Sequence, residues 1–344
     1  MELNVIIPVY NSGSYIQQLL NLMEPQLCFV DKVIFVDDSS QDNSYEILSN
    51  WTKRFDNVDV YIGKNKGASG ARQEGLYHVQ EGYVTFVDSD DRIAEDYFKN
   101  LRNILSENED FDMYVLSYST NFSDKRLLPR INKPGVFCDG KEYAKSIENG
   151  DTIGDMALWN HIYNVGFLKR FNIEFDIDAQ IAEDSLFNDL CILHATRVLV
   201  SDYNGYTWIS RQHSLTGRCP LNMGETLRRH IDYCTMIQLK YGLLNEFVLK
   251  RKKWAFSYLV HNIISSQHPE NRKENLLCNA LKMNLDKEVI EYGYSGYEKK
   301  LLCKSYDTGD TKYYSIYLKY NFKSLVSKLL VCIGKLKRKL LRLC

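Results

Sequence analysis

Through the first 120 positions, short apolar runs alternate with segments whose apolar residues recur every three or four places. Leu3, Val5, Ile6, Ile7 and Val9 make a short β-branched run, the pattern of a buried strand in a parallel sheet. Pro8 cannot donate a ladder hydrogen bond, so the chain is expected to leave the sheet there. Asn11, Ser12, Gly13 and Ser14 supply a turn and a helix cap; Ile16, Leu19, Leu20 and Met23 then share one helical face, and Pro25 stops the helix. Val33, Ile34, Phe35 and Val36 predict a second strand, Leu48, Trp51 and Phe55 a second helical stripe, and residues 58–62 a third strand. Residues 63–70 form a glycine-rich loop that opens a helix bearing Ala71, Gly75 and Val79; Gly82 caps that helix before a strand at 83–87. The order is βαβαβαβ, which predicts an α/β fold with a mostly parallel sheet and right-handed crossovers.

Beyond position 120 the pattern is mixed, with a strand expected at 156–163, a helix at 184–194 and a strand at 197–201. From about 220 onward long segments read as helical. At 344 residues the chain has room for one large α/β domain plus an extension, divided here as residues 1–217 and 218–344. No internal repeat is visible.

Chemistry enters at the strand ends. Asp88, Ser89, Asp90 and Asp91 follow the apolar run 83–87, and Asp37 and Asp38 end the second strand. Clustered carboxylates repel one another and lose solvation, so such a cluster points to a cation, most often a divalent metal. Two acidic strand ends in one half of a chain predict one site at the carboxyl edge of the sheet.

Charge and cysteine usage narrow the class. The net charge of −1 hides an asymmetry: after Asp310 every charged residue is basic, from Lys312 to Arg342. Nine scattered cysteines, with neither a CxxC pair nor zinc spacing, predict reduced thiols in a cytoplasmic protein. A strand pattern directly at the N-terminus argues against a secretion signal, and no run of about 18 apolar residues predicts a membrane span.

Five motifs then occur in order: Val5-Ile6-Ile7-Pro8-Val9-Tyr10-Asn11, Val36-Asp37-Asp38-Ser39-Ser40, Asn65-Lys66-Gly67-Ala68-Ser69-Gly70-Ala71-Arg72, Phe86-Val87-Asp88-Ser89-Asp90-Asp91 and Glu183-Asp184. Together they resemble the inverting family 2 glycosyltransferases of the GT-A fold, of the type that builds bacterial capsule, lipopolysaccharide and exopolysaccharide. The resemblance covers roughly residues 1–215. It implies transfer of a hexosyl group from a nucleotide-diphosphate donor, UDP being favoured, to a hydroxyl of a glycan or lipid-linked acceptor. The carboxylates of Asp88 and Asp90 resemble the family's DxD motif and would hold Mn²⁺ or Mg²⁺, hard cations suited to oxygen ligands. Asp90 is expected on the metal and Asp88 on the ribose or the metal's outer shell. Pro8 and Tyr10 are expected beside the base, Asp37 on its edge, and Ser89, Arg72 and Arg211 elsewhere in the donor site. Asp184 is implied as the general base, with Glu183 supporting it.

Other readings stay open at several of these positions. Asp38 fits helix capping as well as a site, Trp159 fits the core as well as a sugar platform, and His161 fits a structural role better than a catalytic one. Leu325, Leu329, Ile333, Leu336, Leu340 and Leu343 give the tail a basic amphipathic pattern. It reads either as a helix on anionic lipid, which would hold the protein peripherally at the inner face of the membrane, or as one docked on its own domain or in a homodimer. No nucleic-acid motif appears. The competing function is a non-catalytic nucleotide-sugar-binding or scaffold subunit of a glycan-assembly complex.

Overall fold

The computed structural model describes residues 1–241, apart from positions 65, 109, 122–126, 154–156, 180–182 and 210–222, together with scattered positions between 249 and 304. The chain divides into two compact units, Met1–Val248 and Leu249–Cys344. The expected boundary at 217, Arg211 and the whole basic tail lie outside the described residues.

The first unit is built on one mixed sheet. In chain order its elements are β1 (Leu3–Val9), α1 (Ile16–Met23), β2 (Lys32–Asp37), α2 (Ser44–Thr52), β3 (Val58–Ile62), α3 (Gly67–Tyr77), β4 (Tyr83–Phe86), β5 (Arg92–Ile93) and α4 (Tyr97–Glu107). Then follow β6 (Met113–Asn121), β7 (Leu127–Arg130), β8 (Gly135–Phe137), α5 (Gly140–Asn149), β9 (His161–Asn164), α6 (Val165–Arg170), α7 (Glu183–His194), β10 (Val198–Ile209) and α8 (Met223–Tyr241). The sheet order among described residues is β3-β2-β1-β4-β9-β6-β10-β5, with β7 added to β6 and β8 to β10.

The half from β3 to β4 is parallel, as the alternation of strands and helices predicts. In the other half β9 is inserted antiparallel between β4 and β6, and β10 runs parallel to β6. From β1 the chain winds outward to β3 and then returns to the far side of β1 as β4. That reversal opens a crevice at the carboxyl ends of β1 and β4, the place where open α/β sheets bind ligands.

Period-two alternation sorts the core. Ile6, Ile34, Val36, Val84 and Phe86 face one layer with Ala71 of α3 and Phe187, Cys191 and Ile192 of α7. Val5, Ile7, Val33 and Phe35 face the other layer with α1, α2 and α4. Gly75 lets α3 approach β1 closely, since a Cβ there would lie 2.5 Å from Ile6 Cγ2. α8 packs on α7 within this unit.

Several boundaries differ from the pattern-based expectation. Pro8 stays inside β1, paired with Val36; β4 leaves β1 after Ile6, so Pro8 lies where that side carries no ladder. Pro25 turns α1 into a 3₁₀ segment, Glu24–Phe29, instead of ending it outright. Phe55 lies beyond α2 but still packs on Trp51, 4.8 Å between ring centres. α3 starts within the glycine-rich segment, at Gly67, and ends at Tyr77, leaving Val79 outside. Gly82 is therefore no cap: with φ of 81° it makes the turn into β4. The strand expected at 156–163 begins only at His161, because His161 N donates to Leu158 O and residues 158–160 turn. The strand expected at 197–201 continues to Ile209.

Candidate active site

Adjacent parallel strands in register deliver their acidic ends to one edge. Val9 pairs with Asp37, Ile6 pairs with Phe86, and Val87 N donates to Ile6 O, so Tyr10, Asp37 and Asp88 leave neighbouring strands together. Each acidic group then divides into structural and site-facing members.

Asp38 is structural. Its carboxylate accepts from Lys66 N at 3.1 Å and Gly67 N at 2.6 Å, pinning the loop that opens α3. Those amides are therefore occupied and do not await an anion. Asp37 is 2% exposed; Oδ1 accepts from Ser40 N at 2.9 Å, while Oδ2 has no hydrogen-bond partner among the described residues.

Asp91 is also structural, which reduces the three-carboxylate cluster to two in the site. It is buried, its Oδ2 accepts from the Tyr206 hydroxyl at 2.7 Å, and its Oδ1 accepts from Ile209 N at 2.8 Å. Burial, then the neighbouring charges of Asp88 and Asp90, push its pKa well above the usual carboxylate range. Asp88 remains partly exposed. Ser89 turns its hydroxyl inward to Ser12, 2.8 Å away, and so ties the acidic loop to the loop after β1. Tyr10 stands exposed at the end of β1, next to Asn11 with φ of 50°.

Arg72 is the hub. It is buried on α3, and its guanidinium reaches two carboxylates: Nη2 to Asp88 Oδ1 at 2.9 Å and Nη1 to Glu183 Oε1 at 2.8 Å. Despite burial its pKa is raised, chiefly by Asp88, then Glu183 and Asp184. The fork of a guanidinium permits this bridge, which a single ammonium cannot span. Arg72 thus connects the end of β4 to the start of α7.

Asp184 stands on the first turn of α7 beside Glu183, and its Oδ1 accepts from its neighbour Ser185 N at 2.8 Å. Burial, and then the charge of Glu183, push its pKa up to about 7, against the opposing pull of Arg72. Aromatic packing fixes α7: Phe187 stacks on Phe175 at 4.2 Å and meets Phe86 of β4 edge-on at 6.2 Å. A carboxylate poised near neutrality in a crevice is suited to accept a proton.

Two other expectations resolve toward structure. Trp159 is buried, stacked on Tyr206 at 4.7 Å and edge-on to Tyr118 at 4.5 Å, so it offers no sugar platform. His161 is buried, with Nδ1 2.7 Å from Ala157 O, and burial drives its pKa down to about 4, so it stays neutral.

Tyr206 is the residue sequence reading missed. Its hydroxyl donates to Asp91 and accepts from Asp88 N at 3.1 Å, clamping both ends of the acidic loop from β10. Nothing local in an alternating strand marks it out. Tyr206→Phe is expected to lower unfolding free energy by about 1–3 kcal/mol, because a buried carboxylate oxygen and an amide lose their partner. Urea denaturation measures this; a change under about 0.5 kcal/mol would remove the clamp.

The geometry meets independent likeness. Residues 4–167 match the family model for Glycosyl transferase family 2, which spans β1 to α6 and stops before Glu183. The uncharacterized glycosyltransferase EpsJ of Bacillus subtilis (strain 168) is 27% identical over 309 residues, 87% of this chain and 88% of EpsJ. The poly(ribitol-phosphate) beta-glucosyltransferase of Bacillus spizizenii is 29% identical over 218 residues, 61% of this chain but 33% of that protein. In structure the chain resembles S. aureus TarS 1–349 at a TM-score of 0.69 and 21% identity, covering 94% of this chain and 92% of that one. The same TarS segment in complex with UDP-GlcNAc gives 0.68 at 20% identity. These define a sugar-transferring enzyme on a GT-A scaffold. Residues 4–167 form a family 2 glycosyltransferase domain.

Proposed function

We propose that this glycosyltransferase moves a sugar from a UDP-type donor to a hydroxyl of a glycan or lipid-linked acceptor, with inversion, in surface polysaccharide synthesis. The carrying observation is the Arg72 bridge, which holds the acidic end of β4 and the Glu183-Asp184 turn in one constellation. The relatives' names support the polymer class, and the TarS complex with UDP-GlcNAc supports a uridine nucleotide.

On this reading Asp37 Oδ2, a lone buried acceptor, takes the imide N–H of the base, and the exposed Tyr10 ring covers it. Asp88, whose Oδ1 pairs with Arg72, and Asp90 offer hard oxygens of the kind that Mn²⁺ or Mg²⁺ takes, while both oxygens of Asp91 are held by Tyr206 and Ile209. Such a cation, when bound, offsets the negative charge of the departing diphosphate. Asp184 accepts the proton of the acceptor hydroxyl as it attacks the face opposite the leaving group. Arg72 pairs with Glu183 and holds the turn in place. Arg211 belongs to the donor site by resemblance alone. Residues 1–217 form the transferase domain and 218–344 the helical extension, whose basic tail brings the protein to the inner face of the membrane. Among the described residues no helix is long and apolar enough to cross a membrane.

Thermal melting with UDP, GDP, dTDP and CMP, each with and without Mn²⁺, tests the donor site. UDP at about 100 times its dissociation constant is expected to add roughly 2.7 kcal/mol, mostly lost without the metal or in Asp90→Asn. An equal shift without metal removes Asp90 from that role, and no shift with any nucleotide undercuts the donor site.

A further inference from the structure

α7 and α8 meet over three buried side chains that the transfer reaction does not use. Asp189 comes from α7; His230 and Cys234 lie one turn apart on α8 and face it together. All three are fully buried. Asp189 Oδ2 lies 2.6 Å from His230 Nδ1 and 3.6 Å from Cys234 Sγ, which is 3.8 Å from His230 Nε2. Asp189 Oδ1 has no hydrogen-bond partner among the described residues.

This placement is costly unless it holds something. The seam around it is apolar, with Phe187, Ile192 and Ile237 in the same core layer. Apolar residues of similar size would pack there without the penalty of burying charge. An Asp–His pair, even with the weak hydrogen bond that the thiol donates to Oδ2, leaves the second carboxylate oxygen buried without a hydrogen-bond partner among the described residues. A divalent cation accounts for all three. Its two positive charges balance one carboxylate and one thiolate, so the buried assembly is neutral.

The spacing also fits. Tetrahedral zinc, with ligands at about 2.0–2.3 Å, separates neighbouring ligand atoms by roughly 3.3–3.8 Å. The two contacts of the Cys234 sulfur, 3.6 and 3.8 Å, fall in or at that range; the 2.6 Å between Asp189 Oδ2 and His230 Nδ1 is an ion-pair distance, so the coordinating imidazole nitrogen is Nε2, which faces the sulfur. Thiolate with imidazole selects zinc-like ions over Mg²⁺ or Mn²⁺. We infer that Asp189, His230 and Cys234 form a zinc-type metal site that fastens α8 to α7, the helix that begins with Glu183 and Asp184. Binding displaces the thiol proton to solvent and keeps a fourth coordination position open.

The test uses the full chain, stripped by chelator and held in excess Mg²⁺ so that all-oxygen sites are filled. Titration with Co²⁺ is expected to bind one equivalent with a near-ultraviolet thiolate-to-cobalt absorption, removed by one equivalent of Zn²⁺. Cys234→Ser, its fold checked by circular dichroism, should lose that absorption and bind Co²⁺ at least about tenfold more weakly. No absorption in the wild type, or its persistence in Cys234→Ser, overturns the site. Should Cys234→Ser unfold, Asp189→Asn decides: it keeps the thiolate and the absorption but should weaken Co²⁺ by at least about tenfold, and unchanged affinity overturns the proposal. The donor site presents Co²⁺ with carboxylates and no thiolate, so failure here would leave the transferase reading standing.

Discussion

Asp184→Asn is expected to lower kcat by at least about 10³-fold while donor affinity stays within about twofold. The amide keeps the shape of the side chain and the hydrogen bond from Ser185 N, but it cannot accept a proton from an attacking hydroxyl. The wild type should also show an acid limb. With Asp184 pushed up to about 7, the ionised base is lost as pH falls, so kcat/KM should drop about tenfold per unit below that value. The residual activity of Asp184→Asn should lack this limb. Unchanged turnover, or a limb of the same shape in the variant, would remove Asp184 from the role of base.

The same substitution should make the protein more stable. The folded pKa lies above the unfolded one, so between about pH 4 and 7 the folded state holds more protons and stability falls as pH rises. The destabilisation is fully present above pH 7. Asp184 is only partly buried, so the gain in Asp184→Asn is on the order of 1–2 kcal/mol at pH 8, vanishing toward pH 4. A site that stores instability in a catalytic carboxylate behaves this way; a helix-capping aspartate would lose stability on substitution.

What the sequence discloses depends on the range of the interaction. The first four strands are legible because each carries its own periodicity and each crossover is short. The place of β9 in the sheet is not, because a strand inserted antiparallel between β4 and β6 is specified by partners far along the chain. Tyr206 escapes notice for the same reason: its hydroxyl meets Asp91 across 115 positions. Asp37 and Asp38 look alike in sequence, yet one ends with a lone buried oxygen and the other holds the loop before α3. Adjacent side chains on a strand point to opposite faces, so neighbouring aspartates seldom share a task. The resemblance marks Arg72 as a candidate site residue but not its two carboxylate partners, since Glu183 lies 111 positions away.

That bridge carries the second large effect. Arg72→Met should destabilise the protein by roughly 2–4 kcal/mol at pH 8, because it takes from Asp88 and Glu183 the guanidinium that both contact. The figure sits below that for a fully buried pair because the Asp88 and Glu183 side chains keep 26% and 17% of their exposure. The loss should shrink toward pH 4, because Asp184, pushed up to about 7, has lost its charge there. Removing Arg72 also removes a cation that lowers the Asp184 pKa, so the acid limb of any residual activity should move to higher pH. Arg72→Lys is expected to recover part of the stability but not the position of the limb, since one ammonium satisfies one carboxylate at a time. Chemical denaturation at pH 5 and pH 8, with pH–rate profiles for both variants, separates the outcomes. A loss of stability that is the same at both pH values would mean that Arg72 acts by packing alone, and the proposed electrical link between the end of β4 and the start of α7 would fall.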